Sequence, residues 1–445
     1  MTEPNMTTPD IRLPSTIGPL VARHAEDAAF YWSQLDNASN ATQIGVEKYA
    51  HFNRLLDAHL EGLSVAGAEG LRHSLSALDR WKGAAETFTA AWLASALDDA
   101  DSMKRVLEHV RVRPDAQLRG LVSALVWQQS TSARQWVTRL AAPGNDAPDQ
   151  VAALRAAALM GDDGIATLPV SLRELMESQN SFVRAAACRV ATSPNSADIL
   201  MRALHDTDIN VRAEACIAIA CFSQSERVAP ILSQCVTAQA NLGQQATGWH
   251  QKQSMRRLLR WVRHLAAITP LGNSDIAGLL NSLPPRVGLS FVLHHGDCAH
   301  LSWVIDCMER PELARYAGWV WQSLTGVNIS DQGMIISDLH HADDENLDGI
   351  VEAPSDSDHG LPIPDVSAIR TFRIPADLPL GERCLLGQPL TPHHAVEILE
   401  TAPQALRVIA AQMLGMASPD LRPSIRGPAA FQQRQISVLR ARLAA

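Results

Sequence analysis

The sequence predicts an all-α chain, an α-solenoid of stacked antiparallel helix pairs, with a divergent helical block before it and an acidic loop interrupting it. Three observations carry that prediction. A short motif returns after 28 residues: Asn180-Ser-Phe-Val183-Arg184-Ala-Ala-Ala187-Cys188 is echoed by Asp208-Ile-Asn-Val211-Arg212-Ala-Glu-Ala215-Cys216. A fixed period in this range marks a repeat architecture. The 445 residues are 46% hydrophobic but only 5% aromatic, with Ala and Leu dominant, which favours helix and allows a sizeable core. Where the apolar pattern is clearest, as at Val46, Tyr49, Phe52, Leu55, Leu56 and Leu60, its spacing is helical.

The elements follow in order. Residues 1–19, with prolines at 4, 9, 14 and 19, are expected to form a flexible arm. They lack the apolar core of a secretory signal. A helical block is predicted over 20–147, with helices near 46–62, 71–81, 83–97, 101–110, 115–128 and 131–140. Gly62, Gly67 and Gly70 are expected to break the first of these, and Pro143-Gly144-Asn145-Asp146 to end the block. The repeats occupy 148–327. Asn180 and Asp208 suit N-caps, because their side-chain oxygens can accept from the first free backbone N–H groups. Val183 and Val211 enter the core one turn later, and Ala187 and Ala215 lie four residues on, where a methyl lets the next helix come close. Arg184 and Arg212 are placed to cross the stack and bond the carbonyls of a neighbouring turn. Leu154-Arg155, Leu118-Arg119, Leu71-Arg72 and Leu406-Arg407 have the same cadence. A Gly- and Gln-rich stretch, 239–253, leads to a basic helix at 252–267, and helices are predicted near 274–283, 285–295, 299–309 and 311–324. The 328–380 segment is expected to be an acidic, Pro-containing loop, and 381–445 a second helical block.

Charge is uneven. Between Asn328 and Ile369 there are ten acidic residues and no Lys or Arg; removing them from the 47 acidic residues leaves 37 against 38 basic ones. The net charge of −9 thus resides in that loop, and the near-neutral remainder argues against nucleic acid as the partner. Seven cysteines without a CxxC pair are expected to be reduced core thiols of a cytoplasmic protein. No apolar run is long enough to span a membrane, so no membrane partner is expected.

The Asp/Asn-x-x-Val-Arg-x-x-Ala units over roughly 150–235 resemble HEAT-like repeats of the phycobilin-lyase type. A second resemblance rests on Leu56-Asp57-Ala58-His59-Leu60-Glu61-Gly62-Leu63, on Pro311-Glu-Leu313-Ala314-Arg315-Tyr-Ala317-Gly318 with Leu324-Thr325-Gly326, on Leu361-Pro362-Ile-Pro364-Asp365, and on Gly381-Glu-Arg383-Cys-Leu-Leu386-Gly387. These segments are similar to those of an uncharacterised proteobacterial HEAT-repeat family often encoded beside type VI secretion genes. The paired tryptophans of that family near Ala368-Ile369-Arg370 are absent here. The resemblance implies a secretion context and supplies no catalytic residues.

Candidate sites are few. The helix at 252–265 carries Lys252, Arg256, Arg257, Arg260 and Arg263 without an acid, opposite an apolar stripe of Met255, Leu258, Leu259, Val262 and Leu265. A solvated face is the simplest account of it. The functional account makes Arg256, Arg257, Arg260 and Arg263 a dock for an acidic partner or for the chain's own acidic loop. Trp319 and Trp321 flank Val320 on one helix, so at least one is expected to face outwards as a partner contact. The pairs His294-His295, His340-His341 and His393-His394 lack chelating spacing, and no His-Glu dipeptide occurs, so no metal is expected. Asp344, Asn346, Asp348 and Gly349 fit half a calcium loop, but Ser355 stands where the bidentate Glu belongs. No P-loop, dinucleotide or nucleophile-elbow motif is present, so no cofactor and no catalytic residue is assigned. The expectation is a non-catalytic protein-binding scaffold or adaptor that loads or escorts a secreted protein. The alternatives are an enzyme on the same fold, such as a lyase or protein-modifying enzyme, or a nucleic-acid-binding solenoid. Neither the partner's identity nor the oligomeric state is written in the pattern.

Overall fold

In the computed structural model the described residues are 16–191, 193–223, 226–336, 358–375, 378–417 and 423–444. The flexible-arm expectation for residues up to 15, the His340-His341 pair and the calcium-loop residues Asp344, Asn346, Asp348, Gly349 and Ser355 lie outside them. The chain divides into two compact units, 1–36 with 50–169 and 37–49 with 170–445.

The helices that start in or make up the first unit are α1 (Gly18–Ala38), α2 (Val46–Ala66), α3 (Ala68–Trp81), α4 (Ala84–Ala96), α5 (Ala100–Val112), α6 (Pro114–Gln128), α7 (Thr131–Leu140), α8 (Ala147–Met160) and α9 (Asp162–Ile165). Here α4, α6 and α8 form one layer, with α3 packing against both α4 and α5. Gly120 permits the α4–α6 contact: a Cβ there would come within 2.0 Å of the Ala84 carbonyl oxygen. Gly62 does not break α2 as expected. It lies inside the helix beneath the His24 ring, and the break falls at Gly67, whose φ of 56° only glycine adopts easily. Helix α8, placed among the repeats by its Leu154-Arg155 cadence, belongs to this unit.

The second unit contains α10 (Leu172–Met176), α11 (Ser181–Val190), α12 (Ala197–Ala203), α13 (Ile209–Ile219), α14 (Val228–Gln245), α15 (Gly248–Ile268), α16 (Ile276–Ser282), α17 (Pro285–His295), α18 (Leu301–Met308), α19 (Pro311–Thr325), α20 (Val366–Thr371), α21 (Pro392–Thr401), α22 (Gln404–Ala417) and α23 (Ala429–Ala444). It is an all-α solenoid of antiparallel pairs. Helices α11, α13, α15, α17 and α19 follow one another in one layer; α10 packs on α12, α14 on α16 and α18 on α20 in the other. The Gly- and Gln-rich 239–253 stretch joins α14 to α15. It is helical on both sides of a two-residue turn, and buried Gln239 donates to Ser254 Oγ at 2.6 Å.

The repeat motif builds this stack. Asn180 Oδ1 accepts from Phe182 N at 2.9 Å, and Asp208 Oδ1 from Asn210 N at 2.7 Å. Val183, Val211, Ala187 and Ala215 are buried. Arg184 reaches across to Asp206 of the next unit with two bonds of 2.8 and 2.9 Å, while its Nη1 donates to the Ser178 carbonyl at 2.8 Å. Arg212 repeats the second contact on the Asp206 carbonyl at 2.7 Å. Burial raises the Asp206 pKa, but the Arg184 bonds outweigh it and hold the carboxyl below its usual range. Six of the seven cysteines are buried, and all seven are free thiols.

The residues behind the family resemblance hold the chain after α19 in place. Arg315 donates to the Leu361 carbonyl. Gly318 leaves room for Pro364, which a Cβ would meet at 3.2 Å. Arg383 gathers the carbonyls of His295, Ala267 and Thr269 at 2.6, 2.8 and 2.7 Å. Inside the expected loop are α20 and an Ile335–Pro364 bridge, followed by a short hairpin of β1 (Cys384–Leu385) and β2 (Gln388–Pro389).

Candidate functional site: an arginine row on the second unit

Helix α15 forms because its apolar stripe finds cover: Leu258, Val262 and Leu265 are buried against the neighbouring layer. The basic residues are not a solvated face of equals. Arg256 is exposed and Arg257 half-buried. Arg260 pairs with Glu214 of α13, which also takes Arg189 of α11 at 2.8 Å. Glu214 is only 4% exposed. Burial raises its pKa, but Arg189 and Arg260 overcome that and hold it at about 2. One buried carboxylate thus links three successive helices of the layer.

The row continues past Arg260. Arg263 is half-buried, and its Nε is buried without a hydrogen-bond partner among the described residues. Burial, then repulsion from Arg426 and Arg260, pushes its pKa down to about 10. Next to it, His294 of α17 donates from Nδ1 to the Ser290 carbonyl at 2.9 Å, leaving Nε2 buried and unpaired. Burial, followed by Arg263, lowers His294 to about 3, so its ring is neutral. Tyr316 of α19 lies under Arg286, whose Cζ is 4.4 Å from the ring centroid. Arg286 in turn makes two bonds of 2.5 and 2.6 Å to buried Asp358.

The helix starts and stops place these groups. Pro311 opens α19 and Gly326 closes it in the left-handed conformation; α17 runs likewise from Pro285 to Gly296. The outcome is five arginines (189, 260, 263, 286 and 426) with two buried carboxylates, Glu214 and Asp358. A guanidinium does not give up its proton in a protein. No described carboxylate pairs with Arg263, and its Nε is left without an acceptor among the described residues.

Residues 168–247 match the sequence profile of HEAT repeats. No curated protein matches the chain, and no solved structure does. The matched segment covers α10–α14, and the arginine row begins within it, at Arg189 and Glu214. A helical solenoid of this kind is consistent with a protein–protein interaction scaffold.

The expectation that Trp319 or Trp321 faces outwards is corrected. Both are buried, because α19 is covered by the chain that returns over it. Trp319 stacks on Tyr316 at 5.7 Å, and Trp321 meets Phe372 edge-on at 6.1 Å. The exposed tryptophan of this unit is Trp249, at the start of α15. Arg256, Arg257, Arg260 and Arg263 share a helix but not an environment. Glu214 went unnoticed in the sequence, although it had a signal: the equivalent position of the preceding repeat is the buried Ala186. The His-His pairs were set aside for lack of chelating spacing. His394 is tied to the Leu385 carbonyl at 2.9 Å, whereas the structure gathers His295 with Asp297 and His300, a spacing that inspection of adjacent pairs overlooks. No helix among the described residues is long and apolar enough to cross a membrane.

Proposed function

We propose that the protein is a non-catalytic scaffold whose arginine row docks a carboxylate-rich segment of a protein partner. The observation that carries this is Arg263, whose buried Nε finds no acceptor among the described residues, beside Arg260 and Arg426. Desolvated charges persist where a counter-charge arrives, and arginine's planar fork suits a carboxylate. Tyr316 and neutral His294 lie close to Arg263 and add no positive charge beside it. The sequence resemblance supplies the setting: a secretion-associated adaptor that loads or escorts a secreted protein. Co-purification from the native host with the wild-type chain and with Arg263→Met tests the proposal. The expected result is a protein recovered by the wild type and lost by the variant, with the interaction mapping to an acidic segment. Equal recovery by both chains, or loss of nucleic acid instead of protein, would refute it.

A further inference from the structure

We propose that His295, Asp297 and His300 form a binding site for a divalent transition metal, of which zinc is the representative. One ligand atom from each lies within 4.8 Å of the other two. His295 is fully buried and its Nδ1 donates to the Ala266 carbonyl at 3.1 Å, which places the free lone pair on Nε2. That Nε2 is buried without a partner, and so is Nε2 of His300. A carbonyl holding the far nitrogen is the outer-shell arrangement that orients metal-ligating histidines. Asp297 is 5% exposed; its Oδ1 accepts from Ala299 N at 2.9 Å and its Oδ2 from Gly272 N at 3.3 Å, so each oxygen keeps a lone pair.

The local fold brings the three together. Gly296, at φ 73°, ends α17 and turns the chain so that Asp297 caps the short 3₁₀ turn Cys298–His300. His295 and His300 then face one another with ring centroids 6.1 Å apart. Two imidazoles and a carboxylate are three ligands of a four-coordinate zinc site, with the fourth position left to water. Around an ion, ligand atoms stand about 3.3 Å apart, so rotamer adjustments within the trio close the site. Arg383 is the opposing influence, with Nη1 3.2 Å from His295 Nδ1. Its guanidinium is spent on backbone carbonyls, and it stands on the Nδ1 side, away from the proposed ligand atom. With His295 and Asp297 buried, the metal would clip the end of α17 to the start of α18. This site is independent of the arginine row and of the docking proposal.

The test uses the full chain, stripped with a chelator and titrated with zinc chloride by calorimetry, with circular dichroism confirming the fold. The wild type is expected to bind one equivalent that Asp297→Asn and His300→Asn bind at least about ten-fold more weakly. Exposed His393→Asn should bind as the wild type does. His300 is half-buried and makes no side-chain hydrogen bond to a described residue. His300→Asn therefore decides the matter alone if Asp297→Asn does not fold. Absence of stoichiometric zinc in the wild type, or equal binding by His300→Asn, would overturn the site.

Discussion

Replacing Arg263 with methionine should make the protein more stable. Burial, with Arg426 and Arg260 adding repulsion, takes this guanidinium from its usual 12.5 to about 10. At about 1.4 kcal/mol per pH unit, that fall corresponds to roughly 3 kcal/mol of unfavourable charge burial. Part of it is screened, since the side chain keeps some exposure. Methionine preserves the packing of the aliphatic stem and removes the unpaired Nε. The expected net gain is roughly 1–2 kcal/mol, or about 2–6 °C in the melting temperature of a unit this size. The pH dependence carries its own signature. With the folded pKa below the unfolded one, the penalty is complete at every pH below about 10 and fades only above it. The difference between variant and wild type should therefore be flat from mildly acidic to mildly alkaline pH. Urea titration followed by tryptophan fluorescence measures it. A loss of more than about 1 kcal/mol in the variant would refute the reasoning, because it would mean that the guanidinium already has a compensating partner in the free protein.

Glu214 behaves in the opposite sense. Its folded pKa of about 2 lies below the usual 4.5, so its stabilisation is present above 4.5 and is lost as pH falls towards 2. Glu214→Gln, which leaves Arg189 and Arg260 facing a neutral amide, should cost roughly 3–5 kcal/mol near neutrality, and the gap from the wild type should narrow steadily in acid when both are titrated with urea. Ala215→Leu places three extra carbons where the side chain has no exposed surface; thermal melting should show a loss of roughly 1–3 kcal/mol.

The fold was legible in the sequence because the repeat physics is local. An Asx cap, a valine one turn later and a small residue on the same face can all be read without a structure. The positions of Asn180, Val183, Ala187 and their counterparts agree with that expectation. The stacking arginines were legible for the same reason. What distance in sequence hides is who meets whom. Arg260 and Arg263 are one turn apart on α15, yet Arg260 finds Glu214, 46 residues earlier, while Arg263 finds no carboxylate among the described residues. Trp319 and Trp321 looked partly exposed because helical geometry turns neighbours apart. The chain returning through Pro364 and Phe372 covers α19, and no helical periodicity encodes that return. The His295–Asp297–His300 trio depends on the turn at Gly296, which joins two short elements that a pairwise search treats separately. Departures from the repeat were the best available signal, since the charged Glu214 replaces the alanine of the preceding unit.

The docking of an acidic segment on Arg263 is tested most directly by anisotropy titration of a labelled oligoglutamate peptide against the full chain and Arg263→Met. The account predicts binding by the wild type that weakens with added salt and falls at least about ten-fold in the variant, the loss of one charge-assisted pair. Equal binding by the two chains, or no binding by the wild type at low salt, would contradict it.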